Sequence, residues 1–296
     1  MIKRIVEISS AKTWLSVKYG QLIIKQDGEQ LASIPCEDIA VLLVDHRGTT
    51  YTHSVFTELL DAGAAVVLCN GNHHPAGMLL PLESNSVQTE RFRLQIEAKE
   101  PVKKRLWKQI VQAKIKHQAR IAGKDSDVYK SLMVLRPRVR SGDPSNIEAQ
   151  ASRKFWRVYL QDVTFRRNAD GPPPNNMLNY GYTVVRAAVA RALCSAGLLP
   201  SLGIHHRNRY NAFCLADDLV EPFRGFVESK VRDIFQNSGP VDDLDQPTKA
   251  RLLEVLYEEV NIAGFRGPLM VGLHRTAASL QRCFAGEQKL VDLPEI

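Results

Sequence analysis

The chain has 296 residues, 44% of them hydrophobic and 24% charged, with a net charge of +7. That length predicts one large domain or two unequal ones, and the composition excludes wholesale disorder. No apolar run approaches the ~18 residues of a membrane helix, since Ile39–Val44 and Ala64–Cys69 end at Asp45 and Asn70.

The first 80 residues read as strands. Ile2–Ile8, Thr13–Val17, Gln21–Lys25, Gln30–Ile34 and Ile39–Val44 are short and rich in β-branched or apolar residues, and Asp27-Gly28 is a strong hairpin signal. A short helical pattern follows, with Val55, Leu59 and Leu60 on one face and a stop at Gly63, and then two more strands, Val66–Cys69 and Met78–Leu80. Nothing in this part looks catalytic, and His73-His74 reads as a surface turn. Leu82–Thr89 is polar and reads as a linker, so the expected boundaries are 1–80, a linker at 81–90, and 91–296. Beyond it the period changes to three and four residues, as in Val102, Leu106 and Ile110. Helices are predicted over Arg91–Ala98, Val102–Ile121, Ser126–Leu135, Ser145–Val163, Asn175–Ala196, Cys214–Phe235 and Gln246–Ala263. The expected fold class is therefore α+β: a small N-terminal β-domain joined by a short hinge to a larger, all-helical domain.

Charge divides along the same line. Residues 1–90 carry six basic and ten acidic side chains, a balance of −4, which leaves +11 for the rest. A polyanion facing the second part and a set of plainly solvated basic helices both fit that split. The five cysteines are scattered and never form a C-x-x-C pair, against a disulfide scaffold or a structural zinc site. The first residues lack a signal-peptide core, so a cytoplasmic location is expected.

Phosphate-cradling, dinucleotide-binding, nucleophile-elbow and zinc-protease motifs are all absent. What remains is acidic and imidazole chemistry in the basic part. Asp143 suits a helix cap and Pro144 a first turn, which places Glu148 in the second turn beside the stripe Ile147, Ala151 and Phe155. His205-His206 follow Gly203 in a loop. Asp218 and Glu221, or Asp217 and Glu221, share a helix face, where two like charges need a cation between them. Capping by the aspartates and a Glu221–Arg224 ion pair account for the same residues without any function. Taken together, two carboxylates and a histidine on three segments suit a hard divalent ion, Mg²⁺ or Mn²⁺. Arg136, Arg138 and Arg140 alternate around Pro137, which predicts an extended row able to track a phosphate backbone. Arg207 and Arg209 follow the histidines. Lys103 to Arg120 load one long helix with positive charge, part of it plain surface.

These residues also carry a family resemblance. The run from Asn146 to Trp156 around Glu148, the segment Asn175-Asn-Met-Leu-Asn-Tyr-Gly-Tyr, the Gly203-Ile-His-His206 turn and Leu215-Ala-Asp-Asp-Leu-Val-Glu-Pro-Phe-Arg224 resemble, in order, four motifs of the CRISPR-associated integrase family of spacer acquisition. The resemblance spans essentially the whole chain. It implies metal ligation by Glu148, His206 and Glu221, with Asp218 at an additional acidic, catalytic position and His205 outside the histidine column. It also implies an endonuclease and integrase that joins the 3′-hydroxyl of a short double-stranded DNA fragment to a CRISPR repeat. A homodimer through the β-domains is implied, with two dimers bridged by a small second adaptation subunit. Asn146, where many members have Gly, resembles the branch of type II systems, and so brings other type II adaptation proteins into view as partners. Two rival readings remain at this point: a non-catalytic DNA-binding scaffold and a helical RNA-processing factor.

Overall fold

The computed structural model describes residues 3–9, 11–71, 75–83, 85–160 and 165–295. The turn expected at His73-His74 and the end of the helix expected to reach Val163 lie outside the described residues.

Strands β1 (Arg4–Ile8), β5 (Ile39–Val44) and β7 (Ala65–Cys69) run parallel, and β8 (Pro75–Leu79) pairs antiparallel with β7. A second sheet is the meander of β2 (Trp14–Lys18), β3 (Gln21–Gln26) and β4 (Glu29–Pro35), with the two-residue β6 (Thr50–Tyr51) beside β2. Its β3–β4 turn places Asp27 and Gly28 at φ 50° and 89°, the positive values that a tight hairpin requires. Helix α1 (His53–Asp61) buries Val55 and Leu59 and ends at Gly63.

Strand β5 explains how the two halves of the chain meet. All six of its residues are buried. Ile39, Leu42 and Val44 pack with Leu15, Leu22 and Leu59 in the core of the β-part, while Ala40, Val41 and Leu43 join the core of the helices. A sheet covered on both faces needs an unbroken apolar run, which is what Ile39–Val44 is. Buried ion pairing of Lys249 with Asp45 fastens this face, as do hydrogen bonds from Tyr180 Oη to Glu7 Oε1 (3.0 Å) and from Arg191 Nε to the Gly63 carbonyl (2.6 Å). The β-part is therefore packed on the helices rather than swinging from them.

The second part comprises α2 (Gln88–Glu97), α3 (Glu100–Ala122), α4 (Asp127–Leu135), α5 (Ile147–Trp156), α6 (Asn175–Ser195), α7 (Cys214–Val220), α8 (Arg224–Ser238), α9 (Gln246–Leu253) and α10 (Leu269–Ala285). It is not all helical. The helix expected over Gln246–Ala263 stops at Leu253, and a hairpin follows, β9 (Glu259–Ile262) against β10 (Phe265–Pro268). Val260 and Ile262 alternate inward there, and Ala263-Gly264 turn with φ 48° and 79°. Helix α10, outside every predicted element, carries a regular buried stripe of Leu269, Leu273, Ala277, Leu280 and Phe284. Helix α2 begins at Gln88, inside the expected linker, and Arg91 donates to the Ala196 carbonyl at the end of α6. The helix expected over Ser145–Val163 starts at Ile147 and ends at Trp156. The single helix expected over Cys214–Phe235 is broken at Glu221–Phe223, where Pro222 lacks the amide needed to continue the ladder.

Helix α6 threads the centre, with fifteen of its residues buried. Two tyrosines flank Gly181: Tyr180 reaches Glu7 on β1, and Tyr182 Oη donates to Glu228 Oε1 on α8 at 2.9 Å. Gly181 is needed because a Cβ there would lie 2.5 Å from Val227 Cγ1. Valine is stiff at χ1 in a helix, so the clash has no cheap escape. Gly181→Ala should lower stability by about 1–3 kcal/mol in urea denaturation. That cost should largely vanish in a Val227→Ala background; an equal cost in both backgrounds would show that the α6–α8 approach is not the cause.

Candidate active site

Residues 142–146 form the turn that launches α5. Asp143 and Asn146 both adopt positive φ, and the helix begins at Ile147, later than Pro144 suggested. Asp143 still caps it: its two carboxylate oxygens accept the Ile147 and Glu148 amides, each at 2.9 Å. Glu148 therefore lies in the first turn rather than the second. Its Oε1 accepts a hydrogen bond from Ser152 Oγ (3.0 Å) and from the ammonium of Lys114 on α3.

That ammonium also lies 2.6 Å from Glu221 Oε2, a close ion pair. The Glu221 side chain is only 6% exposed, and its second oxygen pairs with Arg224 at 3.0 Å. Burial alone would raise the Glu221 carboxyl, yet Arg224 and Lys114 beside it hold it below its ordinary range. Lys114 mirrors this: burial pulls its ammonium down, and Glu221 with Glu148 raises it above its ordinary value. Both carboxylates thus converge on a single positive atom.

The break at Pro222 separates the neighbouring acids. Asp217 turns toward Arg186, 2.8 Å from its Nε, and accepts from Asn211 (2.6 Å), so it does not join Glu221. Asp218 is fully buried and accepts the backbone amides of Ile204 (2.6 Å), His205 (2.9 Å) and His206 (3.2 Å). Its Oδ1 also lies 2.6 Å from His206 Nδ1. With a proton on Nδ1, the Nε2 lone pair of His206 is left available as a ligand. Gly203 makes this turn possible, since a Cβ there would lie 2.3 Å from the His206 carbonyl. His205 stacks on Trp107 with ring centroids 4.1 Å apart and an interplanar angle of 1°, which anchors the loop to α3. Trp107 and Leu106 are buried, as expected.

Arg136–Arg138 form a 3-10 turn that continues α4, not an extended row; the Arg136 carbonyl accepts from the Val139 amide and from Gln112 Nε2. Arg138 and Arg140 are exposed and Arg136 half-buried. Arg207 is held by both carboxylate oxygens of Glu100, at 2.8 and 2.7 Å. Arg209 lies over the ring of the exposed Tyr210, 4.7 Å from its centroid. The 206–212 segment, with Gln95, Ile96 and Lys103, lines an open cavity of about 660 Å³ that reaches His206.

A divalent ion suits this donor set. Two carboxylates already gather around a positive charge, and the His206 imidazole, held by Asp218, lies near enough to Glu221 to feel its charge; oxygens with one imidazole favour Mn²⁺ or Mg²⁺. Among the described residues no three such side chains close on a common point as they stand. Lys114 holds the glutamates and Asp218 holds the histidine. Lys114 is one of the basic residues expected to load this helix with charge and was not singled out as a site residue, although its register with Ile110, His117 and Ile121 on the buried face of α3 is a signal. Glu228, with its carboxyl pushed by burial up to about 7, was also missed.

The family model described as CRISPR associated protein Cas1 matches residues 6–253, a span that includes Glu148, His206, Asp218 and Glu221. The chain belongs to the Cas1 family. It is 35% identical over 285 residues to the CRISPR-associated endonuclease Cas1 of Neisseria meningitidis serogroup C (strain 8013), covering 95% of this chain and 93% of that protein. A Cas1 endonuclease of Pyrobaculum aerophilum is 24% identical over 94% of this chain and 98% of its own length. The fold is shared with a casposase bound to its integration product (TM-score 0.79, 18% identity, 98% of this chain and 92% of that one). A Cas1 protein from Thermotoga maritima has it too (TM-score 0.74, 15% identity, 96% and 98%). No helix among the described residues is long and apolar enough to cross a membrane.

The Asp218 hydrogen bond, working against partial burial, raises the His206 imidazole above its ordinary value. The stability this contributes is full below about pH 6.5, the ordinary histidine value, and is lost as pH rises through the higher folded value. In an NMR titration of the metal-free protein His206 should titrate above that ordinary value, and Asp218→Asn should lower its titration point. An unchanged midpoint in Asp218→Asn would mean that the contact does not set the protonation of His206.

Proposed function

We propose that this chain is a divalent-metal-dependent DNA endonuclease and integrase that inserts short DNA fragments into a CRISPR array. The observation that carries the reading is the convergence of Glu148 and Glu221 on one cation, beside His206, in a chain of the Cas1 family. Glu148, His206 and Glu221 would hold Mg²⁺ or Mn²⁺. An ion held by these residues would supply Lewis-acid polarisation of a phosphodiester oxygen. Asp218 keeps Nε2 of His206 available and fixes the turn that carries it. Arg224 anchors the far oxygen of Glu221, so the carboxylate presents one edge to the ion.

The reaction is a transesterification. The 3′-oxygen of the fragment forms a new bond to a phosphorus of the array, the original phosphodiester bond breaks, and the proton of the attacking hydroxyl ends on the leaving 3′-oxygen. The cavity beside His206 would take the strand, with Arg209 and the exposed Arg138 and Arg140 contacting phosphates. The charge of +11 beyond residue 90 supports placing DNA on residues 91–296. Residues 1–80 would serve dimerisation and 91–296 catalysis. A solved structure with the same fold is a Cas6-RT-Cas1–Cas2 complex (TM-score 0.78, 19% identity, 97% of this chain and 35% of that one), which favours a small second subunit as partner.

Replacing Glu148, His206 or Glu221 by Ala should remove strand transfer in Mn²⁺ while the protein stays folded. A Glu148→Ala protein with full activity would overturn the metal assignment. Binding of a branched DNA substrate should weaken steeply with salt, as counterions released from phosphates demand. Arg138→Glu with Arg140→Glu should flatten that salt slope by about one unit per lost phosphate contact; an unchanged slope would remove these two arginines from the DNA path. In moderate salt, light scattering should give a dimer of about 66 kDa, and a monomer would count against assembly through the β-parts.

A further inference from the structure

Lys114 stands where the ion of the proposed reaction belongs. We infer that its ammonium is the resident cation of the metal-free site, and that a divalent ion binds only by displacing it from between Glu148 and Glu221. This inference rests on the metal reading above and goes further, because it assigns a role to a residue outside the ligand set.

Geometry makes the two cations exclusive. Lys114 Nζ is in ion-pair contact with Glu148 Oε1 and Glu221 Oε2. The remaining Glu221 oxygen is taken by Arg224 at 3.0 Å, so Oε2 is the atom with capacity for a ligand bond. Carboxylate oxygens bind such ions at roughly 2.0–2.2 Å. An ion that close to both oxygens would overlap Nζ.

Electrostatics points the same way. Glu148, Glu221, Lys114 and Arg224 together carry no net charge, so the metal-free cluster offers little attraction to a second cation. Removing the ammonium from between the carboxylates leaves the surplus negative charge a divalent ion needs. The stem of Lys114 also restricts its alternatives: Ile110, Val111 and Ile115 around it on α3 are fully buried. A buried lysine left without a carboxylate would lose its hydration uncompensated. Lys114 therefore preorganises the two glutamates before the ion arrives and lowers affinity for it.

The test is Mn²⁺ binding to the full-length protein, read by electron paramagnetic resonance of free Mn²⁺, with no nuclease assay involved. Lys114→Met should bind Mn²⁺ more tightly than the wild-type protein, on the order of tenfold, and should melt earlier in EDTA. Lys114→Arg, which keeps the competing charge, should bind no tighter than wild type. Equal or weaker binding by a folded Lys114→Met protein would overturn the inference and leave the metal site standing. Absence of any Mn²⁺ binding by wild type would instead overturn the metal reading itself. A second measurement needs no folded Met variant: in ¹⁵N-lysine-labelled wild-type protein, the Lys114 Nζ resonance should shift in step with Mg²⁺ saturation. A resonance that stays in place while the site saturates would equally overturn the displacement.

Discussion

Two carboxylates aimed into a helical interior are tolerable only with positive charge against them. Glu148 and Glu221 meet that constraint through Lys114 and Arg224. Much of the architecture around them serves it. Helix α3 must lie close enough to α5 for Lys114 to reach Glu148 from a stem sunk in apolar packing. The chain must break at Pro222 so that Glu221 and Arg224 turn toward α3, while Asp217 is left to Arg186. Remove the break, and Asp217 and Glu221 would share one helix face as like charges.

Asp218, the remaining acid at this end of the molecule, works differently. Asp218 receives three backbone amides and the His206 ring, so its charge is satisfied within its own loop. It builds the turn, and the turn aims the imidazole. Gly203 and Trp107 complete the arrangement, one by making room for the His206 carbonyl and the other by giving His205 a flat surface. The β-part contributes rigidity from behind: one face of the β1-β5-β7-β8 sheet lies on the helical core, and Glu7 and Asp45 are held by Tyr180 of α6 and Lys249 of α9.

Much of this was legible in the chain itself. Ile39–Val44 reads as a strand and Asp27-Gly28 as a tight hairpin, and both stand where expected; the proposed ligand set Glu148, His206 and Glu221 came from the family resemblance, and the structure brings the two glutamates of that set to one ammonium. What was hidden had local causes. Val260 and Ile262 alternate over too few residues to outweigh the helical stretch before them, so the β9–β10 hairpin read as more helix. In α10, Thr276 and Ser279 are buried alongside the apolar stripe, with hydroxyls bonded to the Asp292 and Thr276 carbonyls, and their polarity blurs the period. Arg136 keeps helical backbone before Pro137 because α4 runs straight into it, against the usual preference of a residue preceding proline. Lys114 was the costliest omission. A lysine on the buried face of a helix is a charge that needs a partner, and its partners lie 34 and 107 positions away in sequence, at Glu148 and Glu221.

On the proposed reading, Glu148, His206 and Glu221 hold one divalent ion in the place that the Lys114 ammonium fills. Anomalous diffraction from Mn²⁺-soaked crystals tests it most directly. A single strong peak is expected, bounded by carboxylate oxygens of Glu148 and Glu221 and by Nε2 of His206, with Lys114 Nζ moved out from between the glutamates and the Asp218–His206 contact intact. A peak coordinated by Asp217 or Asp218 instead, or no peak in this region at saturating Mn²⁺, would contradict it.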